Sequence, residues 1–221
     1  MEKALTLYDT TIGKKAILAL TGLVLYGFVI VHMAGNLQVF LGPETFNGYA
    51  ATLKGNALLL WGVRGVLLAS IGAHVLISMS LVVKSAGARS VGYRAKENVA
   101  TNYSALTMKY GGPAIGLYIL FHLAHFTFPG IAMGHYRHSE VDAYANFVNG
   151  FQVPWVTAIY VVAQFFVGMH LYHGAYSLFQ SLGLNHSRYN GLIRLVPRVL
   201  GVAVAAGNIA MPLAVLSGIV R

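Results

Sequence analysis

The chain of 221 residues is 57% hydrophobic and only 10% charged, far below the roughly 25% usual in a soluble domain, and its apolar residues gather in long runs, so it reads as an integral membrane protein. It has no cysteine, which excludes disulfides, an iron–sulfur cluster held by this chain and any thioether-attached prosthetic group. The formal net charge of +9 does not signal nucleic acid, because the basic residues sit between the apolar runs, as membrane insertion requires.

Residues 1–15 carry Lys3, Lys14 and Lys15 and are expected at the membrane surface. The first apolar run is too long for a signal-peptide core and no small-residue cleavage site follows, so it is expected to stay. Five helices are expected, at about 15–40, 58–83, 109–129, 155–183 and 195–219, forming one all-α membrane domain over residues 1–221. Gly42, Pro43 and Gly55 break the chain into a loop over 41–57. The loop over 84–108 is polar and basic. The segment from Pro129 to Pro154 is mixed, with His135, Arg137, His138, Glu140 and Asp142, and the stretch from Asn185 to Arg194 is short and basic. No repeat, low-complexity tract or second soluble domain is apparent.

Lysine and arginine placement sets an orientation. One side collects Lys3, Lys14, Lys15, Lys84, Arg89, Arg94, Lys96, Lys109, Arg188, Arg194 and Arg198, and the other Lys54, Arg64, Arg137 and Arg221. That 11-to-4 division puts the N-terminus in the cytoplasm and, after five spans, the C-terminus outside.

Four of the expected spans carry histidine, which is costly in hydrocarbon without a partner. His32 and His122 fall in the outer halves of helices that run outward. His74 and His170 fall in the inner halves of helices that run inward. Two levels, each supplied with two histidines from different helices, suit two bis-histidine haems stacked across the bilayer. Such a haem has no open position for oxygen and is fitted to electron transfer. The competing reading of one buried membrane histidine is a hydrogen-bonding or proton-relay residue, but four in matched pairs, without carboxylates in the spans, favour haem.

His125 and His173 each follow a candidate ligand by three residues and share its helix face, so depth alone leaves the choice within each pair open. The member that does not bind iron is free to hydrogen-bond a propionate, a quinone or a backbone carbonyl. His135, His138 and His186 are expected to be solvated in loops. Gly35, Gly72, Gly168 and Gly174 near the candidate ligands admit either a flat group against the helix or ordinary small-residue packing. Arg64 either pairs with a propionate of the outer haem or snorkels to the interface, and Lys109 has the same two readings at the inner haem. Glu44 either exchanges a proton at an outer quinone site or is an exposed carboxylate.

These residues carry a resemblance that extends over nearly the whole chain. The segments are FVIVHMAGNLQVF around His32 followed by GPETFNGYA, IGAHVLISMSL around His74, GGPAIGLYILFHLAHF around His122, and GMHLYHGAYSLFQSLG around His170. In order and in placement, with a fifth helix lacking histidine, the chain resembles the dihaem cytochrome b membrane anchor of succinate:quinone oxidoreductases, the succinate dehydrogenases and fumarate reductases. The resemblance implies that His32 and His122 bind the outer haem b and His74 and His170 the inner one. It favours His122 over His125 because the family ligand lies about ten residues after a glycine, here Gly112. It favours His170 over His173 because the ligand precedes a G-x-x-S step, here Gly174 to Ser177.

The resemblance further implies a flavoprotein subunit and an iron–sulfur subunit docked on the cytoplasmic face, against the basic loop from Lys84 to Lys109. Electrons would pass between the clusters, the two haems and a membrane quinone, often menaquinone in anchors of this kind, within the respiratory chain of a bacterial cytoplasmic membrane. The chain itself would do no dicarboxylate chemistry. The alternatives are a dihaem b subunit of a hydrogenase or formate dehydrogenase and, from another class, a transporter with a histidine relay, which expects polar residues along a path.

Overall fold

The computed structural model describes residues 9–88, 103–128, 138–184 and 186–221, and among these residues it is helical, without a strand. Lys3, Arg89, Arg94, Lys96, His135, Arg137 and Asn185 lie outside the described residues, and with them most of the basic loop between Lys84 and Lys109.

Helix α1 (Thr11–Asn36) opens on Thr10, whose hydroxyl accepts the Gly13 N–H at 3.0 Å. It tightens into a 3-10 turn, Leu37–Leu41, and stops at Gly42, where φ of 95° suits a residue without Cβ. Pro43 then starts α2 (Pro43–Gly55), so the loop expected over 41–57 is mostly helix. Gly42, Pro43 and Gly55 are its two ends rather than its interior. Proline is at ease in a first turn, and Glu44 near the N-terminus and Lys54 near the C-terminus match the helix dipole.

Helix α3 (Ala57–Gly87) is capped by Asn56, which accepts the Leu59 N–H at 2.9 Å. It is followed by α4 (Tyr103–Phe126), α5 (Ala143–Phe151), α6 (Pro154–Ser181) and α7 (Asn190–Leu216). Helix α5 occupies part of the expected loop from Pro129 to Pro154, with Asp142 as its cap. Helix α7 starts earlier than expected because Arg194 and Arg198 lie within the helix. Helices α6 and α7 both end on a left-handed glycine, Gly183 and Gly218. The next residue reaches back over it, Leu184 N–H to the Phe179 carbonyl and Ile219 N–H to the Ala214 carbonyl, each at 2.9 Å.

Among the described residues four stretches are long and apolar enough to cross a membrane: Thr11–Leu41, Ala57–Gly87, Pro154–Ser181 and Ser187–Leu216. They mark the chain as a membrane protein. The expected fifth span, α4, has 24 residues, but Lys109, Pro113, three glycines and two histidines dilute its apolar character below that of the other four.

Helix α6 packs against α1, α4 and α7, while α3 lies along α1 and α4 along α6. The consecutive helices α3 and α4 are not packed on each other to any extent. At one end of the bundle Lys14 donates to the Ser80 hydroxyl at 3.2 Å and Lys84 to the Thr11 hydroxyl at 3.0 Å, fastening α1 to α3. At the other end α2, α5 and the C-terminus form a cap. There Asn47 donates to the Asp142 carboxylate at 3.0 Å and accepts the Tyr144 N–H at 2.9 Å. Lys54 donates to the Glu140 carbonyl at 2.7 Å, and the Tyr144 hydroxyl to the Arg221 carbonyl at 3.0 Å. Below this cap lies the larger core, where Val39, Phe46, Phe147, Phe151, Val156, Tyr160 and Met211 meet. Asp142 is held below the ordinary aspartate range by the Ala145 N–H and then by the Asn47 amide.

Candidate functional site

The histidines meet across helices in two pairs. The rings of His32 on α1 and His122 on α4 have centroids 5.7 Å apart, nearly perpendicular at 82°. The rings of His74 on α3 and His170 on α6 have centroids 6.2 Å apart at 59°. Their depth in the spans put the same residues at common levels. A metal ion held between two imidazoles, about 2 Å from each nitrogen, separates the ring centroids by roughly 6 Å. Both pairs have that spacing.

A ligating imidazole turns one nitrogen to the metal and engages the other with a fixed partner. His74 Nδ1 is 3.2 Å from the Thr21 hydroxyl, and His122 Nδ1 is 3.2 Å from the Tyr160 hydroxyl. In both, that contact leaves Nε2 as the nitrogen available to a metal. Thr21 itself bonds back to the carbonyls of Ile17 and Leu18, which holds its oxygen in place. His170 has a buried Nδ1 without a hydrogen-bond partner. At His32 it is Nε2 that meets Asn36 Nδ2, at 3.1 Å, so ligation through Nε2 exchanges that bond for one to the metal.

His125 and His173 stand apart from the two pairs. His125 is 4% exposed. Its ring lies 4.1 Å from that of Phe126 and against Phe121 and Phe151, and its Nδ1 is 3.0 Å from the Tyr160 hydroxyl. His173 keeps a buried Nδ1 without a hydrogen-bond partner. His138, expected to be solvated, is half-buried and faces His125 electrostatically. His186 is exposed and accepts the Arg188 N–H at 3.2 Å. No group of three or more His, Asp or Glu side chains converges among the described residues.

Arg64 lies over the ring of Trp61 at 5.0 Å, an arrangement that suits an interfacial cation. Lys109 is exposed and lies 5.8 Å from the ring of Tyr110. Glu44 is exposed in the first turn of α2. The structure records no contact of these three with the histidine pairs.

The candidate glycines divide. A Cβ on Gly168 would lie 3.1 Å from Ala205 Cβ and 3.2 Å from the Gly201 carbonyl oxygen, and one on Gly201 would lie 2.9 Å from the Gly168 carbonyl oxygen. Gly168 therefore serves close approach of α6 to α7 rather than of a ligand. Gly35 is covered by the ring of Tyr49. Gly72 and Gly174 face open space.

A polar string went unnoticed in the sequence. Gln164, 2% exposed, donates to the Tyr118 hydroxyl at 3.1 Å and accepts from Asn208 Nδ2 at 3.1 Å, joining α4, α6 and α7. The Tyr118 ring packs edge-on against Tyr160 at 5.3 Å and lies 6.1 Å from His122. The signal was present as single amides inside apolar runs, VVAQFFV and AAGNIAM. A small core cluster of Val167, Leu171 and Val204 packs against Val29, Ile30 and Ile115 and against the rings of Tyr26 and Tyr118.

No protein-family model matches the chain, and neither curated proteins nor solved structures give a match.

Proposed function

We propose that this chain is a five-span, dihaem cytochrome b membrane anchor of a succinate:quinone oxidoreductase, with the N-terminus in the bacterial cytoplasm and the C-terminus outside. The observation that carries this reading is the pair of cross-helix imidazole couples, each at a spacing that suits one shared metal ion. The residues fit the group in a second respect: Thr21 and Tyr160 engage Nδ1 of one member of each pair.

Haem b bound by two imidazoles supplies a one-electron carrier with no open coordination position. His32 and His122 hold the outer one and His74 and His170 the inner one. Thr21 and Tyr160 fix the tautomer and the turn of their histidines by accepting the Nδ1 proton. Quinone exchanges electrons with the anchor, and a flavoprotein and an iron–sulfur subunit dock on the cytoplasmic side. Helices α1 and α3 are tied together there through Lys14, Ser80, Lys84 and Thr11.

The polar string of Asn208, Gln164 and Tyr118 is what a histidine-relay transporter would call for. A transmembrane relay needs hydrogen-bonding groups all the way across, whereas electron transfer between two haems does not. A dihaem subunit of a hydrogenase or formate dehydrogenase would share the histidine geometry and differ in its soluble partners.

A pyridine haemochrome assay on the chain, purified with its neighbouring subunits, tests the reading. Two haems b per chain and co-purifying succinate–quinone activity support it. A colourless protein puts the relay transporter first.

A further inference from the structure

Tyr160 stands on α6 with its hydroxyl between two imidazoles of α4, 3.2 Å from His122 Nδ1 and 3.0 Å from His125 Nδ1. A phenol has one proton to donate, and its oxygen also accepts. A continuous chain through the three groups can run in either of two directions. Either His122 donates from Nδ1 to the oxygen and the hydroxyl donates on to His125 Nδ1, or the direction is reversed. Ring placement separates them. The His122 ring is the one opposite His32, whereas the His125 ring is enclosed by Phe121, Phe126 and Phe151. With Nε2 of His122 committed to a metal, its proton resides on Nδ1, and the bonds run from His122 to Tyr160 to His125.

Resting on the proposed dihaem reading, we propose that Tyr160 is a positioning residue for the outer haem ligand His122, and that His125 acts on the same ligand through the Tyr160 hydroxyl instead of binding iron. Two consequences follow from hydrogen-bond chemistry. Accepting the Nδ1 proton makes the imidazole a stronger donor to the metal, which favours the oxidised ion and lowers the reduction potential. A hydroxyl that itself donates to His125 is the better acceptor, since bonds in a chain polarise one another. The inner pair has Thr21 in the corresponding place beside His74, and the Thr21 hydroxyl donates to the Ile17 and Leu18 carbonyls of its own helix and not to a second imidazole. The two sites are thus built to differ, with the longer chain on the outer one.

The test uses the full chain with its soluble subunits, and reads haem content, the low-spin electron paramagnetic resonance signals and a spectropotentiometric titration. In Tyr160→Phe both haems are expected to remain, one signal to move and one midpoint potential to rise while the other stays. His125→Leu should move the same signal and potential in the same direction by a smaller amount. His125→Gln, which keeps an acceptor for the hydroxyl, should return both toward wild type. Two haems with unchanged signals and potentials in Tyr160→Phe would overturn the positioning role. Loss of a haem in His125→Leu would overturn it as well, by making His125 a ligand. If Tyr160→Phe fails to assemble, the two His125 variants decide by the same readouts. A wild-type chain without haem removes the dihaem reading itself, a result distinct from any of these.

Discussion

Gln164 donates to the hydroxyl of Tyr118 at 3.1 Å across the α4–α6 interface, while its carbonyl is taken by Asn208 of α7. One buried amide therefore ties three helices together. Hydrogen bonds between helices in apolar surroundings contribute modestly each, about 0.6–2 kcal/mol, but removing the central group leaves two partners unsatisfied. Gln164→Leu is expected to cost about 2–3 kcal/mol by that count. Thermal unfolding in detergent should show a clear fall in Tm, larger than for Asn208→Leu or Tyr118→Phe alone. A double-mutant cycle between Gln164→Leu and Tyr118→Phe should be markedly non-additive, and additive costs would mean that the bond contributes nothing.

The close approach of α6 and α7 rests on Gly168 and Gly201. Gly201→Ala would put a methyl group 2.9 Å from a backbone carbonyl, which cannot swing aside as a side chain does. The helices must separate, at about 1–3 kcal/mol for an overpacked contact. Gly174→Ala, facing open space, should leave stability of the chain without haem unchanged. Parallel melting curves of the two variants provide the comparison, and equal melting temperatures would show that the interface is looser than the structure has it.

Removing a paired imidazole should remove one haem. His74→Ala and His170→Ala are each expected to halve the haemochrome signal and to disconnect the soluble subunits from quinone reduction. His173→Ala should keep both haems, because it is the His170 ring that faces His74. Haem-to-protein ratios on the three purified variants check this, and a one-haem His173→Ala protein would exchange the roles of His170 and His173.

The cap formed by α2, α5 and the C-terminal residues carries a pH dependence whose sign follows from Asp142. Asp142 is held below the ordinary carboxylate range by the Ala145 N–H and the Asn47 amide. A lowered folded-state pKa means that the stabilisation is complete above the unfolded value, near pH 4, and is lost as pH falls through the lower one. Hydrogen exchange at Ala145 should therefore be slow and level from pH 7 to 5, after correction for intrinsic rates, and lose protection toward pH 3. In Asp142→Asn the low-pH loss should vanish. Protection that persists in wild type at pH 3 would mean that the carboxylate is not what caps α5.

The histidines were legible in the sequence because depth is a one-dimensional property. Counting residues along each apolar run groups His32 with His122 and His74 with His170, and the rings face one another in those pairs. The choice between His122 and His125 was not legible. Both share a face of α4, and only the position of α1 and of the aromatic core across that face separates them. Tyr160 escaped notice for a related reason: a tyrosine in an apolar run has an ordinary packing role, and its hydroxyl gains meaning only from what α4 puts beside it.

Composition and hydropathy by themselves determined that the chain is helical and that it belongs in a membrane. These follow from the cost of exposing backbone and charge to hydrocarbon, which acts on each segment separately. Tertiary structure decided the rest. It turned two expected loops into α2 and α5 with a hydrogen-bonded cap, assigned Gly168 to helix packing, joined Asn208, Gln164 and Tyr118, and set Tyr160 between two imidazoles. Each of those depends on which helix faces lie against one another, and a segment read alone does not contain that information.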